Sequence, residues 1–68
     1  MNAKEIGEKI RKLRIKRGLS LRALEKLTCI SNANLSRIER GKAGVPQINT
    51  INIILENLNA KLEIIEKT

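Results

Sequence analysis

The sequence predicts an all-α fold: a bundle of short helices with a short C-terminal β-strand after them. Three observations carry that prediction. Apolar residues recur at helical spacing in four separate stretches. Capping residues and chain-reversing glycines stand at the ends of those stretches. Only the last segment, AKLEIIEKT, begins with the apolar–polar alternation of a strand.

The first helix is expected over residues 4–17, KEIGEKIRKLRIKR, where Ile6, Ile10 and Leu13 form one stripe at i, i+4, i+7. Lys and Arg crowd its last turns, where they suit the helix dipole. Gly18 stands just past the end, in the place of a left-handed cap. Ser20 reads as the cap of a second helix, about Leu21 to Thr28, with Leu24 and Leu27 inward. Ile30 closes a tight turn. Ser31 caps a third helix, about Asn32 to Arg40, with Leu35 and Ile38 inward and Gly41 at its end. After the loop GKAGVP, Pro46 precedes a fourth helix. Its Ile48, Ile51, Ile54, Leu55 and Leu58 commit it almost wholly to packing. Asn59 is a plausible left-handed stop. Ala60, Leu62 and Ile64 then alternate with Lys61, Glu63 and Ile65, which reads as a strand; the alternative is a continuing fourth helix, with Leu58, Leu62 and Ile65 at i, i+4, i+7. Residues 1–58 thus form one domain, and 59–68 a strand or tail.

Sixty-eight residues bury only roughly 60% of the unfolded surface, so the domain is marginal alone. Such chains lean on disulfides, metals, tight helix packing or a partner subunit. Cys29 is the single cysteine and there is no His, so a disulfide within the chain is excluded and no metal or other cofactor is expected. With no aromatic residue, Leu and Ile must build the core. Residues 1–45 hold 12 Lys and Arg against 4 Asp and Glu, a net of +8, whereas residues 46–68 hold 2 against 3, a net of −1. A basic front suits an anionic partner. No run reaches the roughly 18 apolar residues of a membrane span, so no membrane is expected. The N-terminus lacks a signal-peptide stretch, and one unpaired cysteine fits a reducing, cytoplasmic setting.

Ser20 to Gly41 is therefore two capped helices joined by a tight turn, the pattern of a helix-turn-helix whose second member enters the DNA major groove. At about 100° per residue, the side of the third helix opposite Leu35 and Ile38 carries Ala33, Ser36, Arg37 and Arg40. Asn32 and Asn34 flank its first turn. Arg37 suits a bidentate contact to guanine, Asn32 or Asn34 one to adenine, and the Ala33 methyl a thymine methyl. Base reading is thus expected from Asn32, Ala33, Asn34, Ser36 and Arg37. Arg40 and Lys42 lie further along and suit phosphates, which position a protein without reading sequence. The amides opening the second and third helices, with Ser20, Arg22 and Ser31 beside them, offer further phosphate contacts.

At these residues the sequence resembles the lambda-repressor-like helix-turn-helix proteins of the xenobiotic response element (XRE, or Cro/C1) type. The resemblance covers roughly residues 4–58. It is carried by Arg14, Gly18, Leu19 and Ser20, then by Ser36, Arg37, Ile38, Glu39, Arg40 and Gly41. It implies a bundle of four to five short helices that binds DNA as a two-fold dimer. It also implies an ion pair between Arg14 and Glu39, taken here as structural. Three positions depart from the family pattern: Leu21 where Gln often contacts DNA, Glu25 where a small Ala packs, and Cys29 where the turn has Gly. Glu25 puts the angle between the second and third helices in doubt. Cys29 is strained if the turn needs a positive φ; it reads as a small buried apolar residue, with a redox sensor as the alternative. The tail resembles the strand that HipB-type antitoxins pair across a dimer axis, which would place Leu58, Leu62, Ile64 and Ile65 in a dimer contact.

The function expected is a homodimeric, sequence-specific repressor acting on an inverted-repeat operator in double-stranded DNA, with an antitoxin repressing its own operon as the leading role. A phage-type or restriction-modification controller regulator is one alternative. The other is a protein-interaction module that masks a cognate toxin or an enzyme. An RNA-binding domain would bring stacking aromatics, and an enzyme would bring a catalytic constellation; the chain carries neither.

Overall fold

The computed structural model describes residues 2–62. Four helices follow one another: α1 (Ala3–Lys16), α2 (Leu21–Thr28), α3 (Asn32–Glu39) and α4 (Ile48–Asn57). The starts of three helices are set by side chains. Asn2 Oδ1 accepts from the Glu5 amide at 2.9 Å, Ser20 Oγ from Ala23 at 3.0 Å, and Ser31 Oγ from Asn34 at 3.2 Å. Each bond satisfies a donor that the first helical turn leaves free. α4 opens after Pro46 without a side-chain cap.

Every helix ends against one residue in left-handed conformation: Gly18, Cys29, Gly41 and Asn59. In α1, α3 and α4 the same two bonds close the end. Gly18 and Leu19 donate to the carbonyls of Ile15 and Arg14; Gly41 and Lys42 to Ile38 and Arg37; Asn59 and Ala60 to Glu56 and Leu55. α2 differs. Its Cys29 amide donates to Glu25 O at 2.8 Å, and the second bond passes through Thr28, whose hydroxyl donates to Leu24 O and accepts from the Ile30 amide. That relay turns the chain into α3 within three residues.

Ile10, Leu24, Leu35, Ile38, Ile51, Ile54, Leu55 and Leu58 form one core, edged by Ile6, Leu13, Leu19, Leu21, Ile30 and Ala60. α3 packs on both α1 and α2, and α2 on α4. α1 crosses the end of α3 backbone to backbone: a Cβ added at Gly7 would lie 2.3 Å from the Ile38 carbonyl oxygen. Arg17 straps the end of α1 to that of α4, its Nε donating to Leu58 O at 2.9 Å.

Several expectations are corrected. Leu27 is 52% exposed, because the buried line of α2 runs through Leu21, Leu24 and Thr28; the threonine can join it because its hydroxyl is bonded on both sides. Ile48 is 58% exposed: it lies in the first turn of α4, off the line through Ile51, Ile54, Leu55 and Leu58. Cys29 is exposed rather than buried, since the left-handed residue occupies the outside of the turn. α4 does not continue into the tail, because Asn59 reverses it at φ +55°. The β-strand is not seen among the described residues: Ala60–Leu62 are irregular, with Ala60 drawn onto the core by its bond to Leu55. Ile64 and Ile65 lie outside the described residues. Leu58, expected in a dimer contact, is wholly buried within its own core.

Candidate nucleic-acid interface

α3 is anchored at both ends. At its C-terminal end Glu39 is 6% exposed and receives a two-pronged contact from Arg14. Nε donates to Oε2 at 2.6 Å and Nη2 to Oε1 at 3.0 Å. The third prong, Nη1, donates to the Leu19 carbonyl at 2.8 Å. One guanidinium thus joins α1, the α1–α2 connection and α3. The hydrogen bond to Glu39 raises the Arg14 pKa further above its already high ordinary value, against the opposing pull of burial.

At the N-terminal end two bonds hold the first turn. Ser31 Oγ takes the Asn34 amide, and Glu25 of α2 reaches across so that its Oε2 accepts from the Asn32 amide at 2.9 Å. The amides expected to receive phosphate at this helix are therefore partly committed inside the protein. At α2 the Ser20 hydroxyl is likewise engaged, by Ala23, while Arg22 beside it is exposed.

Between these anchors Leu35, Ile38 and Glu39 face the core. Ala33, Asn34, Arg37 and Arg40 are exposed; Asn32 and Ser36 are half-buried. Arg40 folds back along its helix, Nε donating to Ser36 O at 3.3 Å. Among the described residues the Arg37 side chain makes no hydrogen bond or ion pair, which leaves its five donors to solvent or a ligand. Lys42 is exposed just beyond the Gly41 reversal. Ala33, Arg37 and Arg40 thus share the outward face of α3, with Ser36 at its edge, Asn32 and Asn34 to either side of the first turn and Lys42 just beyond its end, while Ser20 and Arg22 stand at the start of α2. Leu62 is exposed at the far end of the described chain.

Reasoning from sequence missed the Glu25 clamp, the Thr28 relay, the Gly7 crossing and the Arg17 strap. The first of these had a signal. Each helix start leaves four amides to satisfy, and Ser31 can take only one of those in α3. A carboxylate one helix earlier was the available second acceptor.

The model of a helix-turn-helix domain family matches residues 5–63. The chain is 42% identical over 57 residues to the HTH-type transcriptional repressor RghR of Bacillus subtilis (strain 168). That match takes in 84% of this chain but only 42% of the relative, so the chain spans about two fifths of the relative's length. No solved structure gives a significant match.

Proposed function

Because the chain belongs to the XRE-type helix-turn-helix family, we propose that it is a sequence-specific DNA-binding transcriptional repressor. The observation that carries this reading is the strip on α3: Ala33, Asn34, Arg37 and Arg40 stand exposed on a helix pinned at both ends. A rigid helix presenting such side chains suits the major groove, with Arg37 reading guanine and Asn32, Ala33, Asn34 and Ser36 reading neighbouring base edges. Ser20, Arg22, Ser31, Arg40 and Lys42 lie along the path of the phosphates. The net +8 of residues 1–45 supplies the attraction to a polyanion. The name of the Bacillus relative, a transcriptional repressor, supports the same role.

The protein acts in the cytoplasm as a homodimer on an inverted repeat, with half-sites about one helical turn apart. Leu62, Ile64 and Ile65 contribute to the dimer contact. An apolar groove of about 520 Å³, with Ile6, Leu13, Ile51, Leu55 and Leu62 among its walls, supports a docking role for this side. Autorepression as the antitoxin of a toxin–antitoxin operon is the biological setting we favour. A protein-masking module is the second reading, favoured by Val45, Ile48 and Ile53, apolar side chains left exposed in and just before α4.

The test is selection from a pool of random duplexes at two salt concentrations, with sequencing of the bound fraction. An enriched inverted repeat supports the dimeric repressor. Binding that ignores sequence and vanishes with salt refutes it. In the same selection Arg37→Ala is expected to flatten the preference at one base position, at a cost of about 1–3 kcal/mol on the best site.

A further inference from the structure

We propose that Glu25 is a specificity-determining positioning residue: by holding the first amide of α3 it sets where Asn32, Ala33 and Asn34 stand against the bases. This rests on the DNA-binding reading above. The bond from the Asn32 amide to Glu25 Oε2, 2.9 Å long, is a hydrogen bond between the α2 side chain and the start of α3. Its origin is firm, because Leu24, the preceding residue, has no exposed surface and fixes α2 in the core. Its target is the first residue of α3, at the start of the strip that would face the groove.

The two ends of α3 are held by different means, and this separates their effects. The eight residues of α3 span about 12 Å at 1.5 Å per residue. The Arg14–Glu39 fork pins the C-terminal end. If the Glu25 clamp lets go, the helix pivots about that pin. A pivot of roughly 10° over that length moves the N-terminal end by about 2 Å, but shifts Arg37, two residues from the pin, by only about 0.5 Å. Base-edge hydrogen bonds live in a window of about 0.5 Å. Asn32, Ala33 and Asn34 would leave it, and Arg37 would stay near it. A general loss of stability makes no such distinction between positions.

The experiment is the same selection of bound duplexes, run on the parent protein, Glu25→Gln, Glu25→Asp and Arg37→Ala, with thermal melts of each. Arg37→Ala identifies the base position that Arg37 reads. Glu25→Gln keeps an acceptor at the same reach without the charge, and is expected to keep the parent's base profile. Glu25→Asp keeps the charge but is one methylene shorter. It is expected to lose about tenfold in discrimination at the positions facing Asn32–Asn34, the scale of one base contact, and to keep the preference at the Arg37 position. An Asp variant with the parent's profile overturns the proposal, as does one whose loss is equal at every position. If the Asp variant does not fold, a Gln variant with an altered profile overturns it. A selective parent whose Asp variant keeps the parent's profile, or loses equally at every position, thus sinks the Glu25 role alone, whereas a parent that selects no sequence sinks the repressor reading and this role with it.

Discussion

Glu39→Gln should be among the most costly single changes outside the apolar core. The side chains of Arg14 and Glu39 are 13% and 4% exposed, so the pair is closer to a buried than to a surface ion pair. Removing one partner of a buried pair costs about 3–5 kcal/mol, against about 0–1 for a surface pair. Because the guanidinium retains some solvent contact and its bond to Leu19 O, the lower end applies, about 3 kcal/mol. A chain of 68 residues has a total stability of about 3–10 kcal/mol, so the variant sits near the folding threshold. The melting temperature should fall by about 12–24 °C. With no aromatic residue in the chain, the assay is far-UV circular dichroism under heat and urea. Replacing both partners, as Arg14→Met with Glu39→Leu, should recover part of the loss, since no charge is left unpaired. Recovery stays incomplete because the Leu19 carbonyl loses its donor, at about 1–3 kcal/mol. A single-variant cost below about 1 kcal/mol would refute the reasoning, because the pair would then behave as solvated.

Other perturbations test the joints between helices. Gly7→Ala should abolish cooperative folding, since its Cβ would lie 2.3 Å and 2.6 Å from two backbone oxygens of α3. Gly18→Ala, with nothing within 4 Å, should cost only the left-handed strain of about 1–2 kcal/mol; equal losses in the two melts would show that the α1–α3 crossing is not tight. Cys29→Gly should raise the urea midpoint, for a gain of about 1 kcal/mol in stability, and Cys29→Ala should not, because both Cys and Ala carry a Cβ at φ +61°. Thr28→Val keeps the shape but takes the acceptor from the Ile30 amide, for a loss of about 1–2 kcal/mol in the same titration; an unchanged midpoint would mean that water replaces the hydroxyl.

Local features of the fold were legible wherever neighbouring residues decide them. Ser20 and Ser31 cap because a short hydroxyl side chain reaches an amide three residues on. Gly18, Gly41 and Asn59 stop helices because they tolerate a positive φ. Periodicity located most of the core, including Leu24, Leu35, Ile38, Ile54 and Leu58. It failed for Leu27 and Ile48, where a stripe of apolar residues was wider than the surface available to cover it. Thr28 took a buried place that hydropathy alone would have refused it, because its hydroxyl is bonded on both sides.

The sequence by itself determined the four helices, their ends, the basic first half and the polar strip on α3. Each of these follows from contacts within a few residues or from charge that needs no partner. The tertiary structure alone decided that Glu25 reaches the first amide of α3, that Gly7 lets α1 lie against the α3 backbone, and that Leu58 is spent in its own core. The Gly7 crossing depends on surfaces that meet across tens of residues, and the Glu25 bond, though it spans only seven, on the angle at which α2 meets α3. A one-dimensional pattern records which side of a helix is apolar, but not what arrives to cover it.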